Sequence, residues 1–128
     1  MNDASFFEQV GGRETFRLLV ARFYEGVAFD PILRPMYPDA NLADAQERLF
    51  LFLQQYWGGP STYSETRGHP RLRLRHAPFE IGAVQRDAWL GHMRVAVESL
   101  ALAAELESEL WNYLVAAANS LVNAEDQT

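Results

Sequence analysis

The chain has 128 residues, 48% hydrophobic and 12% aromatic, and its 17 acidic against 11 basic residues leave a formal net charge of −6. That is the size and make-up of one globular domain over residues 1–128, with apolar material for a core and for a wall around an apolar cofactor. The acidic balance argues against a nucleic-acid partner, and the absence of cysteine excludes disulfides, thiolate zinc sites, iron–sulfur clusters and cysteine nucleophiles.

Ser5-Phe6-Phe7-Glu8 is a helix start, with Ser5 or Asp3 as its cap, and Gly11-Gly12 ends that short element. Over residues 13–29, Phe16, Leu19, Val20, Phe23, Tyr24 and Val27 recur at spacings of three and four, which predicts an amphipathic helix. Asp30-Pro31 opens a shorter helical turn that ends before Pro38. The next helix is predicted over 42–57, with Leu42, Ala45, Leu49, Phe52, Leu53 and Tyr56 on one face, and Gly58-Gly59-Pro60 stops it. Residues 58–71 read as a long loop, and long loops in compact domains often carry function. Leu72 to Ala77 reads as a short helical stretch closed by Pro78. Two longer helices follow, from about Gly82 to Leu102 and from about Ala104 to Asn123, and Ala124 to Thr128 are expected to fray. No alternating strand pattern occurs, so the fold class is all-α.

The polar start Met-Asn-Asp-Ala-Ser does not look like a signal peptide, and no run of about 18 apolar residues could cross a membrane. The default expectation is a cytoplasmic protein with no stable membrane insertion. Nucleophile elbows, phosphate-binding loops and dinucleotide fingerprints do not occur. All eleven basic residues are arginines, so lysine Schiff-base chemistry is ruled out.

Three histidines remain. His92 falls within a long helix, off the face of Trp89 and Met93, and reads as a solvated polar residue. His69, between Gly68 and Pro70, reads as a turn or surface contact. His76 sits on a short helix before a proline, where a structural or a ligand role is open. Tyr24, Tyr37 and Trp89 each read as core aromatics with a polar tip, yet all three could line one pocket and offer hydrogen-bond donors there.

The sequence resembles the truncated haemoglobins, and within them group II, from roughly Phe6 to Asn123. The residues that carry the resemblance are Phe7-Glu8-Gln9-Val10-Gly11-Gly12, Arg22-Phe23-Tyr24, Pro35-Met36-Tyr37-Pro38, and Gln55-Tyr56-Trp57-Gly58-Gly59-Pro60. They continue as Arg67-Gly68-His69-Pro70-Arg71-Leu72-Arg73, Arg75-His76-Ala77-Pro78-Phe79 and Arg86-Asp87-Ala88-Trp89-Leu90. The resemblance implies a two-over-two helical sandwich, a shortened globin that binds haem b. His76 matches the family's proximal iron ligand, which leaves a sixth position for O2 and for CO or NO. Tyr24, Tyr37 and Trp89 match the distal donors. Ala45 matches the position where many globins place a gating histidine, and Leu49 and Phe52 would pack over the iron face. Arg48 is a candidate partner for a haem propionate, with Arg75 and Tyr63 behind it.

Slow O2 release through these donors suits retention of the gas better than transport. The alternative function is therefore NO dioxygenation or a weak peroxidase-like turnover, with a separate reductase as electron source. A pocket without a distal His–Arg pair should cleave peroxide only modestly. A cofactor-free helical interaction module is the third reading, and the oligomeric state stays open between monomer and homodimer.

Overall fold

The computed structural model describes residues 5–38, 40–68, 76 and 79–123. Among the described residues six α-helices and one 3-10 turn can be traced from end to end, and no strand occurs. The helices are α1 (Phe6–Gln9), α2 (Arg13–Val27), α3 (Ala43–Tyr56), α4 (Thr62–Arg67), α5 (Ala83–Ser99) and α6 (Ala104–Leu121). The 3-10 turn spans Arg34–Met36. In packing, α2 lies against α3 and α5 against α6, while α2 also packs extensively on α5. Two helix pairs therefore stack on each other, a two-over-two sandwich.

The short α1 starts as predicted: Ser5 Oγ accepts from the Glu8 N–H at 3.2 Å, which satisfies an amide that the first turn leaves unpaired. Gly12, at φ 72°, then turns the chain into α2, a left-handed conformation that a side chain disfavours. All six periodic positions of α2 are buried, and Phe16, Leu19, Val20, Phe23 and Val27 are almost fully excluded from solvent. Burying such a side chain contributes about 1.5–3 kcal/mol, so this stripe anchors the core against α5.

Helix α3 divides its apolar residues between two stripes, where one was expected. Phe50 and Leu53 are buried in the core, and Leu53 also borders the cavity. Leu49 and Phe52, one position round the helix, are only partly covered and face a cavity. Tyr56, expected on one face with these residues, is the last residue of α3; it is 53% exposed and stacks on Tyr113 of α6 at 4.0 Å.

Three other expectations need correction. Part of the predicted loop 58–71 is helix α4, held by Gln55, whose Oε1 accepts from Ser64 N–H at 2.9 Å while its Nε2 donates to Ser64 Oγ at 2.8 Å. A six-residue helix with one buried side chain, Tyr63, has no periodic pattern to betray it. Helix α5 ends at Ser99 and not near Leu102, because Ala101 adopts a left-handed φ of 51°. His92 is not a freely solvated residue: its side chain is 29% exposed and its Nε2 meets Asp30 Oδ2 at 2.5 Å. Of the predicted stretch Leu72 to Ala77, only His76 is among the described residues, and it is helical. His69, Arg71, Arg73, Arg75 and Ala124 to Thr128 lie outside them.

Candidate functional site

The helices flank an open cavity of about 480 Å³, in the range of roughly 300–1,000 Å³ common for small-molecule and cofactor sites. Leu49 and Phe52 of α3 line it together with Leu114, Ala117 and Leu121 of α6. Into this apolar space the fold brings nearly every residue singled out from the sequence. Tyr24 enters from α2, Ala45 and Arg48 from α3, Tyr63 from α4 and Trp89 from α5. Tyr37 follows the 3-10 turn, and His76 lines the cavity as well. Arg75 lies outside the described residues.

The aromatic donors hold one another in place. Phe23 meets Trp89 edge-on at 5.3 Å and Tyr24 edge-on at 4.9 Å, and Tyr24 meets Tyr37 edge-on at 5.7 Å. Edge-to-face contacts at these spacings fix ring orientation as well as burying area. Phe23 is wholly buried, so the fully packed ring acts as the pivot for two rings that reach the cavity. Tyr63, 4% exposed, sits edge-on to Phe52 at 5.8 Å, which places it on the α3 side of the site.

Burial raises the pKa of Tyr24 well above the usual phenol value, and its charge and hydrogen-bond interactions with the Tyr37 phenol raise it further, against a lowering pull from Arg48. Tyr37 is also raised by burial, while the Tyr24 hydrogen bond and the Arg48 charge pull it down. Both phenols therefore keep their protons at neutral pH and stand as O–H donors. Burial, followed by the neighbouring Tyr56, pushes Tyr113 up to about 12.

Arg48, Arg67 and Arg86 line the cavity, and no aspartate or glutamate does so among the described residues. Arg86 also contacts Asp87 at 3.1 Å. His76 stands 6.5 Å from the Phe79 ring, centroid to centroid, and its carbonyl accepts from the Phe79 N–H at 3.0 Å. Among the described residues no group of three or more histidines, cysteines, aspartates or glutamates could hold a bare metal ion.

Sequence reasoning gave no role to Arg86, Gln85 or Tyr113, all of which line the cavity. Arg86 lies three residues before Trp89, so helical spacing alone puts both on one face. Tyr113, Ala117 and Leu121 repeat every four residues along α6 and form its cavity stripe. Gln85 is a capping residue too: its Oε1 accepts from the Gly82 N–H at 2.9 Å and closes the start of α5.

A two-over-two helical sandwich around an apolar cavity reached by a histidine and several buried donors defines a shortened globin. The model of the bacterial-like globin family matches residues 5–123. A group 2 truncated haemoglobin of Bacillus subtilis is 41% identical over 120 residues, spanning 91% of this chain and 90% of that protein. The X-ray structure of a thermostable haemoglobin from Thermobifida fusca superposes with a TM-score of 0.95 at 64% identity, covering 96% of this chain and all of the other. That of a truncated haemoglobin from Bacillus subtilis, described as oxygen-avid, gives a TM-score of 0.88 at 39% identity over 94% of this chain and 100% of its own. The chain belongs to the bacterial-like globin family and is a group II truncated haemoglobin.

Proposed function

We propose that the cavity would hold haem b with His76 as a ligand to its iron, and that the chain would bind O2, and with it CO and NO, at the haem. One observation carries this reading. Among the described residues, a single imidazole, the donor tips of Tyr24, Tyr37 and Trp89 with Tyr63 and Tyr113 beside them, and three arginines without a carboxylate line the same apolar cavity. An apolar ring bearing two carboxylates suits such a lining: its body is buried against Leu49, Phe52 and Leu114, and its charges meet guanidinium groups. A lone imidazole would hold a free ion weakly, whereas haem brings four further nitrogens of its own. The bound iron would supply an open coordination position for a diatomic gas.

The chain's own residues then set what that position does. Tyr24, Tyr37 and Trp89 would offer hydrogen-bond donors to a gas held there. Ala45, small and 7% exposed, leaves room and offers no donor. Leu49 and Phe52 exclude water from the reacting side. Arg48 and Tyr63, with Arg75, hold the propionates, and Arg67 and Arg86 add to the positive lining. A hydrogen bond to a charged partner contributes roughly 1.5–3 kcal/mol, so two of them slow O2 release by about 10²–10⁴-fold. The oxygen-avid relative supports this direction. Such retention fits a protein that keeps O2 for reaction with NO or for redox turnover, with electrons from a separate reductase.

The test is an absorption spectrum of the purified, haemin-loaded chain, reduced and exposed to CO, beside His76→Gly. The intact chain should give a sharp Soret band that shifts with CO. The variant should lose that spectrum and recover it when imidazole is added. A chain that takes up no haemin, or a variant whose spectrum matches the parent, rejects the reading.

A further inference from the structure

Asn123 lies just beyond α6, and its side chain turns back onto the segment that carries His76. Its Nδ2 donates to the Phe79 carbonyl at 2.8 Å and to the His76 carbonyl at 3.3 Å. Its Oδ1 accepts from the Ile81 N–H at 2.8 Å, and its own N–H donates to the Ile81 carbonyl at 2.8 Å. Between His76 and Ile81, four backbone groups are thus tied to one residue 42 to 47 positions away. The carboxamide is matched to the task, since it presents two donors and an acceptor in one plane. An aspartate would keep the acceptor and set a carboxylate against two carbonyls.

The segment needs such a tie. Helix α5 begins only at Ala83, so residues 79–82 have no helical ladder to hold them. The His76 carbonyl receives a local bond from the Phe79 N–H, and Asn123 adds the long-range one that joins this turn to α6. Asn123 is exposed, so its removal opens no core.

We propose that Asn123 is a positioning residue for the axial ligand: by clamping the backbone of His76, Phe79 and Ile81 to the end of α6, it sets the direction in which the imidazole meets the iron. The inference rests on the ligand role proposed for His76. Groups that orient a metal ligand typically change metal affinity by 10–100-fold when removed.

The experiment uses the full chain loaded with haemin, with Asn123→Ala, Asn123→Asp and, as a control on the same helix end, Ser120→Ala. Resonance Raman spectra of the ferrous, ligand-free proteins report the iron–histidine stretch, and transfer to excess apomyoglobin reports haemin loss. Both Asn123 variants should shift or broaden the stretch and lose haemin about tenfold faster, while Ser120→Ala follows the parent. Hydrogen exchange in the haem-free chain should quicken at the Ile81 amide in Asn123→Ala. If Asn123→Ala lowers the melting temperature and leaves the stretch and haemin loss unchanged, the residue is merely structural and the proposal is overturned. If the parent shows no iron–histidine band, or His76→Gly retains it, the ligand role falls and takes this proposal with it. The parent spectrum therefore tells the two failures apart.

Discussion

Asp30 and His92 stand 62 positions apart in sequence and meet at 2.5 Å, carboxylate Oδ2 to imidazole Nε2. The contact joins the turn after α2 to the middle of α5. Asp30 serves both sides of it, since its Oδ1 also accepts from the N–H groups of Ile32 at 2.7 Å and Leu33 at 3.0 Å. One carboxylate thus shapes the turn towards Tyr37 and pins it to the helix that carries Trp89.

That arrangement makes stability depend on pH. The His92 hydrogen bond, and after it the Leu33 and Ile32 amides, hold the Asp30 pKa below its ordinary value. A carboxylate with a depressed folded pKa contributes stability that is complete above its unfolded pKa, about 3.9, and is lost as pH falls through the folded value. Asp30→Asn should therefore be less stable than the parent by a constant margin at pH 5 to 6, and the margin should close below about pH 4. Urea midpoints over that pH series measure it. A margin that persists unchanged down to pH 2 contradicts the assignment.

Gly26 packs directly beneath His92, and a Cβ at that position would overlap the imidazole. Gly26→Ala should cost about 1–3 kcal/mol, the usual range for overpacking. In a His92→Ala background the same change should be neutral, or stabilising by up to about 1 kcal/mol, because alanine is the better helix former. Equal costs in both backgrounds would show that the close approach of α2 and α5 does not act through the ring.

Trp89 combines an indole N–H with a ring held edge-on by Phe23. Replacing it with phenylalanine keeps most of the ring packing and removes the donor. O2 release, followed by stopped-flow displacement with CO, should quicken by about 10–100-fold, the value of one hydrogen bond of roughly 1.5–3 kcal/mol. An unchanged off-rate would remove Trp89 from the set of donors.

The buried phenols offer a check that needs no cofactor. Burial holds Tyr24 and Tyr37 protonated far into the alkaline range. In a titration at 295 nm, the Tyr24→Phe/Tyr37→Phe double variant should lose no ionisation amplitude below about pH 10, the ordinary phenol value. Amplitude lost there would mean that at least one of the two is open to water.

Much of this was legible in the sequence where a pattern repeats. Helix α2 has six buried positions at regular spacing, and its face could be read directly. Helix α3 was legible as a helix and not in its detail, because residues 49 and 52 and residues 50 and 53 form adjacent stripes, and only three-dimensional packing shows which meets the core. Helix α4 depends on the grip of Gln55 on Ser64, a contact that leaves no periodic trace. His92 looked solvated because its partner lies in a turn 62 positions away. The cavity set emerged because the motifs around Tyr24, Tyr37, His76 and Trp89 resemble a known family; spacing alone left each of them ambiguous. Asn123 escaped notice for the opposite reason, since a lone asparagine near a helix end is unremarkable until its four bonds are seen.

Three arginines line the cavity of a chain whose net charge is −6. Charge would then distinguish the molecules that approach the site. An uncharged diatomic molecule diffuses in with the same ease in dilute or concentrated electrolyte. If the cavity takes haem as proposed, the doubly anionic macrocycle would first meet a chain of like net charge and then the guanidinium groups of the lining. Added salt, which shortens the reach of both fields, would act on that charged molecule alone.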